Sequence, residues 1–251
     1  MIDFVGAGCG APDLITVRGK ALLEAADLVV YAGSLVNPAL LDYTGPGCKR
    51  LDSAKMTLDE VVEALAAAHR AGQRAVRLHS GDPSIYGAIR EQMDRLEALG
   101  IGYRVCPGVS ALCGAAAALK AEYTLPGVSQ TVIITRMAGR TPVPPGESLS
   151  ALAAHGATLV IFLSAGLLEE VAAALQAGGL PPDTPAALVY RASWADEKVC
   201  RCTVGTLAQT GRENGISKTA LICVGHFLGE DYQLSRLYDG SFATGFREAR
   251  P

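Results

Sequence analysis

Short apolar runs recur along the chain, each closed by a turn former, with amphipathic stretches between them. Residues 2–6 read as a buried strand, followed by GAGCGAPD. Thr16–Ala26 carries helical spacing, DLVVYAG reads as a second strand, and Pro38–Tyr43 as a short helix. Thr57–Ala71 is the clearest helix: Leu58, Val61, Val62 and Leu65 share one face, with Asp59, Glu60 and Glu63 mostly outside. Thr57 is placed to cap it, Glu60 three residues on completes a capping box, and Gly72 ends it. RAVRLHS predicts a strand, Ile85–Leu99 a helix, YRVCPG a strand and Ser110–Leu119 an alanine-rich helix. Such alternation predicts parallel strands joined by right-handed crossovers.

The rhythm breaks at EYTLPGVSQ, residues 122–130, and a domain boundary is expected there, giving residues 1–121 and 122–251. TVIITR then predicts a strand. The proline-rich TPVPPGES follows, with Glu147 or Ser148 near the start of a helix. TLVIFLS reads as a strand and Leu167–Ala177 as a helix. PAALVYR and VCRCTV stand too close together for a helical crossover and should pair as an antiparallel hairpin. A short helix at Thr206–Glu213 and the strand TALICVG complete the half. The expected fold is α/β in two domains: a mostly parallel sheet in the N-terminal one, a mixed sheet in the C-terminal one.

Composition narrows the function classes. The 251 residues are 49% hydrophobic but only 6% aromatic, so small aliphatic side chains and glycine must build most of the interior. A net charge of −3 and no long basic run argue against nucleic acid as the main partner. MIDFVGAG carries no basic-then-apolar leader, and the longest apolar run, around Ala157–Leu168, is too short to span a bilayer. A soluble cytoplasmic protein is the expectation. The seven cysteines form no C-x-x-C pair, so no zinc site is expected. Cys200 and Cys202 alternate onto one strand face and read as small packing residues.

Three glycine-bearing turns follow apolar runs. VGAGCGA fits G-x-G-x-x-[GA] through Gly6, Gly8 and Ala11, the dinucleotide fingerprint. Its context is wrong, because Pro12-Asp13 precede any helical spacing and the second strand ends without an acid for a ribose. A glycine-lined loop that lets a ligand approach the backbone fits better. SGDPSIYG has a plain reading, a turn in which Asp82 caps the next helix. Its functional reading places it with Gly6–Gly10 and Pro107–Ala111 (PGVSA) at strand carboxyl ends, where open α/β sheets bind ligands.

VGAGCGAPDLITVRG, RLHSGDPSIYGA, PGVSA and TLVIFLSAGLLEEV together resemble the tetrapyrrole (corrin and porphyrin) methyltransferases, in order and from Val5 to about Gly225. VVYAGSLVNPALL, GRTPVPPGESL, VYRASWADEK and KTALICVGHFL resemble the members that act on precorrin-type macrocycles. Two positions depart from the family: Cys9 stands where proline is usual, and Ala11 where aspartate is common. The resemblance implies S-adenosyl-L-methionine as methyl donor, no metal, a homodimer, and a cleft between the two domains. By position it implies donor contacts from Cys9, Ser80, Gly81, Asp82, Ile85, Ser110, Ala111, Leu163, Ala192 and Ala220. On this reading the turn at residues 80–82 is small because the donor lies on it.

A methyl on a sulfonium needs no acid to leave, so no nucleophilic side chain is expected. His79 is the candidate base, by nearness to the turn alone. A tetrapyrrole bearing acetate and propionate arms calls for local cations, and Lys55, Arg136, Arg140 and Arg191 are the candidates. Ser34 and Asn37 are candidates to face the macrocycle, with a plain Asn-Pro turn as the alternative. Trp194 either packs at the cleft or fills core. A nicotinamide oxidoreductase, a protein or RNA methyltransferase of the same fold, and a non-catalytic tetrapyrrole binder are the rival classes.

Overall fold

The computed structural model describes residues 1–250, with Ser34 described by its backbone alone. The chain forms two compact units: Met1–Ala118 with Arg191–Glu197, and Leu119–Tyr190 with Lys198–Pro251.

The first unit holds β1 (Ile2–Gly6), α1 (Val17–Glu24), β2 (Leu28–Tyr31), β3 (Lys49–Asp52), α2 (Leu58–Arg70), β4 (Ala75–His79), α3 (Ile89–Ala98), β5 (Tyr103–Cys106) and α4 (Ala111–Leu119). Its five strands run parallel in the order β3-β2-β4-β1-β5. Alternation along the inner strands feeds two apolar layers. Ile2, Phe4, Leu28 and Val30 pack with Val61, Val62 and Leu65 of α2 and Leu96 of α3. On the opposite face Val5, Val29, Val76 and Leu78 pack with Leu23 of α1. The capping box at Thr57 and Glu60 forms as the sequence implies.

Two elements differ from expectation. β3 has no apolar alternation, because KRLD is an edge strand whose side chains are mostly exposed. The third helix begins at Ile89, four residues later than its apolar spacing implies. Tyr86 (φ 55°) and Ala88 (φ 49°) occupy left-handed backbone, and residues 83–86 form a turn before the helix.

The second unit holds β6 (Val132–Arg136), α5 (Leu149–Ala153), β7 (Thr158–Phe162), α6 (Leu168–Ala177), β8 (Pro185–Tyr190), β9 (Lys198–Thr203), α7 (Leu207–Glu213) and β10 (Ala220–Val224). Its sheet is mixed, in the order β6-β7-β10-β8-β9, with β6 and β7 parallel and the remaining pairs antiparallel. The expected β8–β9 hairpin forms. Cys200 and Cys202 share a face and pack against the core of Leu159, Ile161, Val171, Leu175, Leu188 and Ile222.

Candidate functional site

Because β1 lies between β4 and β5, the carboxyl ends of these strands are neighbours. Their three loops are knotted through main-chain contacts. The Ala7 N–H donates to the His79 carbonyl at 2.7 Å, the Gly8 N–H to the Gly81 carbonyl at 3.2 Å, and the Gly81 N–H back to Gly8 at 2.9 Å. Asp82 ties in the third loop: its Oδ2 accepts from the Gly108 N–H at 2.8 Å, while its Oδ1 accepts from the Ser84 N–H at 2.8 Å and the Ser84 hydroxyl. The carboxylate therefore caps its own turn and the neighbouring loop; the third helix is entered through Ala88, with no side-chain cap. Burial alone would raise the Asp82 carboxyl, but the hydrogen bonds from Ser84 and Gly108 outweigh it and hold the group below its usual range.

The knot itself calls for small residues. A Cβ on Gly108 would lie 2.2 Å from the Gly81 oxygen, and one on Gly6 would lie 2.6 Å from the Gly108 Cα. Gly6 and Gly108 are small because their loops lie against one another. Gly81 is selected by conformation instead, with φ +60° and its nearest would-be contact at 3.4 Å.

Two further segments close on the first loop. Asn37 donates from Nδ2 to the Gly10 carbonyl at 3.0 Å, while its Oδ1 caps the short helix Pro38–Tyr43 by accepting from the Ala39 N–H at 3.1 Å. The segment Ala192–Trp194 lies on the other contacts: the Ala11 N–H donates to the Ser193 Oγ at 2.9 Å, and the Cys9 Sγ sits 3.4 Å from that same oxygen. Cys9 also abuts Gly114 of α4, where a Cβ would lie 2.8 Å from its sulfur. The first loop is followed by a 3-10 turn, Pro12–Leu14, before α1, so no helix opens at Ala11 as a dinucleotide site requires.

Behind the knot lies a polar pair in the α2/α3 layer. Arg77 is 7% exposed; its Nε donates to the Gln92 Oε1 at 3.1 Å, and its Nη1 to the carbonyls of Val30 and Leu78 at 3.1 and 3.3 Å. Burial pushes its pKa down to about 10. His79 is 3% exposed, its ring stacks 6.0 Å from that of Phe4, and its Nε2 has no hydrogen-bond partner among the described residues. Burial, and then the Arg77 charge, push its pKa down to about 3. The ring is buried and stacked, as that of a packing residue would be. Arg77 was not among the sequence candidates; the signal for it is a charge in the middle of the apolar strand RAVRLHS.

The other candidates fall as follows. Ser80, Asp82 and Ile85 are partly exposed in the second loop, Ser110 is buried, and Ala111 opens α4. Ala192 is buried and stands 3.3 Å from a would-be Cβ on Gly114. Leu163 and Ala220 lie in the second unit, where pairing of Ile222 with Ile161 and of Arg136 with Phe162 puts both at the same end of the sheet as Arg136. Leu163 is 70% exposed at φ 54°, a strained position for a leucine. Ala220 is buried.

The candidate cations are either held by local partners or exposed. Arg136 donates to the carbonyls of Met137, Thr141 and Pro142, so it braces its own loop. Arg191 pairs with Asp196 at 2.5 Å and lies over the Trp194 ring. Lys55, closing a 3-10 turn, and Arg140 are exposed. The Ser34 side chain lies outside the described residues. Among the described residues no cluster of His, Cys, Asp and Glu is placed to hold a metal, and no helix is long and apolar enough to cross a membrane.

A doubly wound parallel unit with knotted strand-end loops, joined to a mixed-sheet unit, defines a class as well as a geometry. The sequence profile of the tetrapyrrole (corrin/porphyrin) methylases matches residues 1–208, and the chain belongs to that family. Within it, the chain is 49% identical over 249 residues to a cobalt-precorrin-4 C(11)-methyltransferase of Methanocaldococcus jannaschii, covering 99% of this chain and 96% of that one. It is 47% identical over 239 residues to a precorrin-4 C(11)-methyltransferase of Mycobacterium tuberculosis, covering 94% and 95%. The crystal structure of a cobalt precorrin-4 methyltransferase, CbiF, superposes with a TM-score of 0.89 at 46% identity, covering 91% and 96% of the two chains. That of a uroporphyrin-III C-methyl transferase from Thermus thermophilus complexed with S-adenyl homocysteine superposes with a TM-score of 0.76 at 26% identity, covering 90% and 92%.

Proposed function

We propose that the protein transfers a methyl group from S-adenosylmethionine to carbon 11 of a precorrin-4 macrocycle, giving the precorrin-5 skeleton on the route to cobalamin. The observation that carries this reading is near-full-length similarity, at 49% and 47% identity, to enzymes named for that reaction. The donor is supported by the related fold seen with S-adenyl homocysteine. The residues present suit such a ligand: Ser80, Asp82, Ile85 and Ala111 are partly exposed around a rigid backbone knot.

The donor supplies a methyl group already activated on a positive sulfur. The electron pair of carbon 11 forms the new C–C bond as the S–C bond breaks; S-adenosylhomocysteine leaves, and the macrocycle gives up one proton. The chain's part is to hold sulfur, methyl and carbon in line at about 3 Å, where alignment alone accounts for much of the rate. The knot serves this, because the Asp82–Gly108 bond and the Gly8–Gly81 pair leave the loops little freedom to drift.

Metal-free and cobalt-bearing precorrin-4 share the reacting carbon, and assays on both, side by side with S-adenosylmethionine, test the reading. One added methyl by mass spectrometry, placed at carbon 11 by NMR, on either macrocycle is the expected result. No methyl on either would refute it.

A further inference from the structure

The segment Arg191–Glu197 lies between β8 and β9 in sequence but belongs to the first unit. It seats on the loop after β1. That loop carries glycines at 6, 8 and 10 and no proline before Pro12, so it has little stiffness of its own. The segment is held in shape by internal contacts. The Ser193 N–H donates to the Glu197 Oε2 at 2.5 Å, Arg191 pairs with Asp196, and the Arg191 guanidinium lies 4.0 Å from the Trp194 ring centroid. Two non-glycine residues in it carry positive φ, Arg191 at 47° and Ser193 at 65°. Backbone in that region costs free energy and persists where neighbouring contacts enforce it.

What the strain accomplishes is visible at the loop. It turns the Ser193 hydroxyl onto the Ala11 N–H at 2.9 Å, next to the Cys9 sulfur. It also brings Trp194 onto Gly10, so closely that a Cβ there would lie 2.2 Å from the indole Cδ1.

We infer that Ser193 and Trp194 are positioning residues: together they clamp the loop at residues 8–11 in the shape that receives the methyl donor. The inference rests on the methyltransferase reading above. Neither residue needs to touch the donor. Ser193 holds the backbone at Ala11, and Trp194 fixes it at Gly10.

Ser193→Gly and Ser193→Ala separate the clamp from ordinary structural support. Both lose the hydroxyl. Glycine also relieves the backbone strain, because φ +65° is open to it, so Ser193→Gly should unfold at or above the wild-type temperature while Ser193→Ala does not gain. Calorimetric titration with S-adenosylhomocysteine should nevertheless show both variants binding about five- to tenfold more weakly, the loss expected for one hydrogen bond. A merely structural role would let affinity follow stability. Trp194 is the only tryptophan, so its fluorescence reports on the clamp without added labels. Acrylamide should quench it more readily in both variants, and S-adenosylhomocysteine should reduce quenching in the wild type. Wild-type affinity in Ser193→Gly would overturn the clamp while leaving the methyltransferase reading intact. No binding by the wild type in the titration would overturn both.

Discussion

Single residues carry sharp consequences here because the loops touch through backbone. Gly108→Ala would place a methyl 2.2 Å from a carbonyl oxygen, which no side-chain rotation can relieve. It should lower stability by about 2–3 kcal/mol in urea unfolding, and an unmoved midpoint would show that the loops do not pack this way. Asp82→Ala strands the Gly108 N–H and frees the turn at Ser84, so it should lower stability by about 1–2 kcal/mol together with donor affinity. Affinity lost at unchanged stability would give that carboxylate to the ligand instead. His79 makes stability depend on acid. Its folded pKa of about 3 lies below the unfolded imidazole value near 6.5, so the unfolded chain binds the extra proton. Its contribution is complete above about pH 6.5 and is lost progressively toward pH 3, on the order of a few kcal/mol. His79→Phe should flatten that slope in denaturation followed by circular dichroism, and an identical slope in the variant would assign it to other groups.

At the scale of elements, legibility followed burial. Strands buried on both faces, such as β1 and β4, announce themselves as apolar runs. The capping box at Thr57 is readable because both its partners lie within one turn; Thr57→Ala should cost about 1 kcal/mol in thermal unfolding, with an unaffected transition arguing that the cap is idle. β3 escaped because an exposed edge strand has no apolar face to display. The third helix was started too early because Ile85 has the right spacing but belongs to a turn, whose carbonyl at Asp82 accepts the Ile85 N–H at 3.2 Å. The three strand-end loops were legible as a group from their glycines. The packing of Gly6 against Gly108 was not legible, since a sequence shows small residues without showing what lies against them. Ser193 was invisible for a different reason: a polar residue whose partner is 182 positions away leaves no local pattern.

At the scale of the whole chain, alternation of strand and helix followed by a break in that rhythm was enough to give a parallel sheet first and a mixed one after, as the structure shows. Sheet order was not legible, and it is the order β4-β1-β5 that gathers the three loops. Family membership adds the chemistry, and the proposed donor site then follows from where those loops meet. Hydrogen exchange read by mass spectrometry, with and without S-adenosylhomocysteine, tests this most directly. Added protection is expected to concentrate in residues 6–11, 80–88 and 107–113. Binding that leaves all three segments exchanging as in the free protein would contradict it.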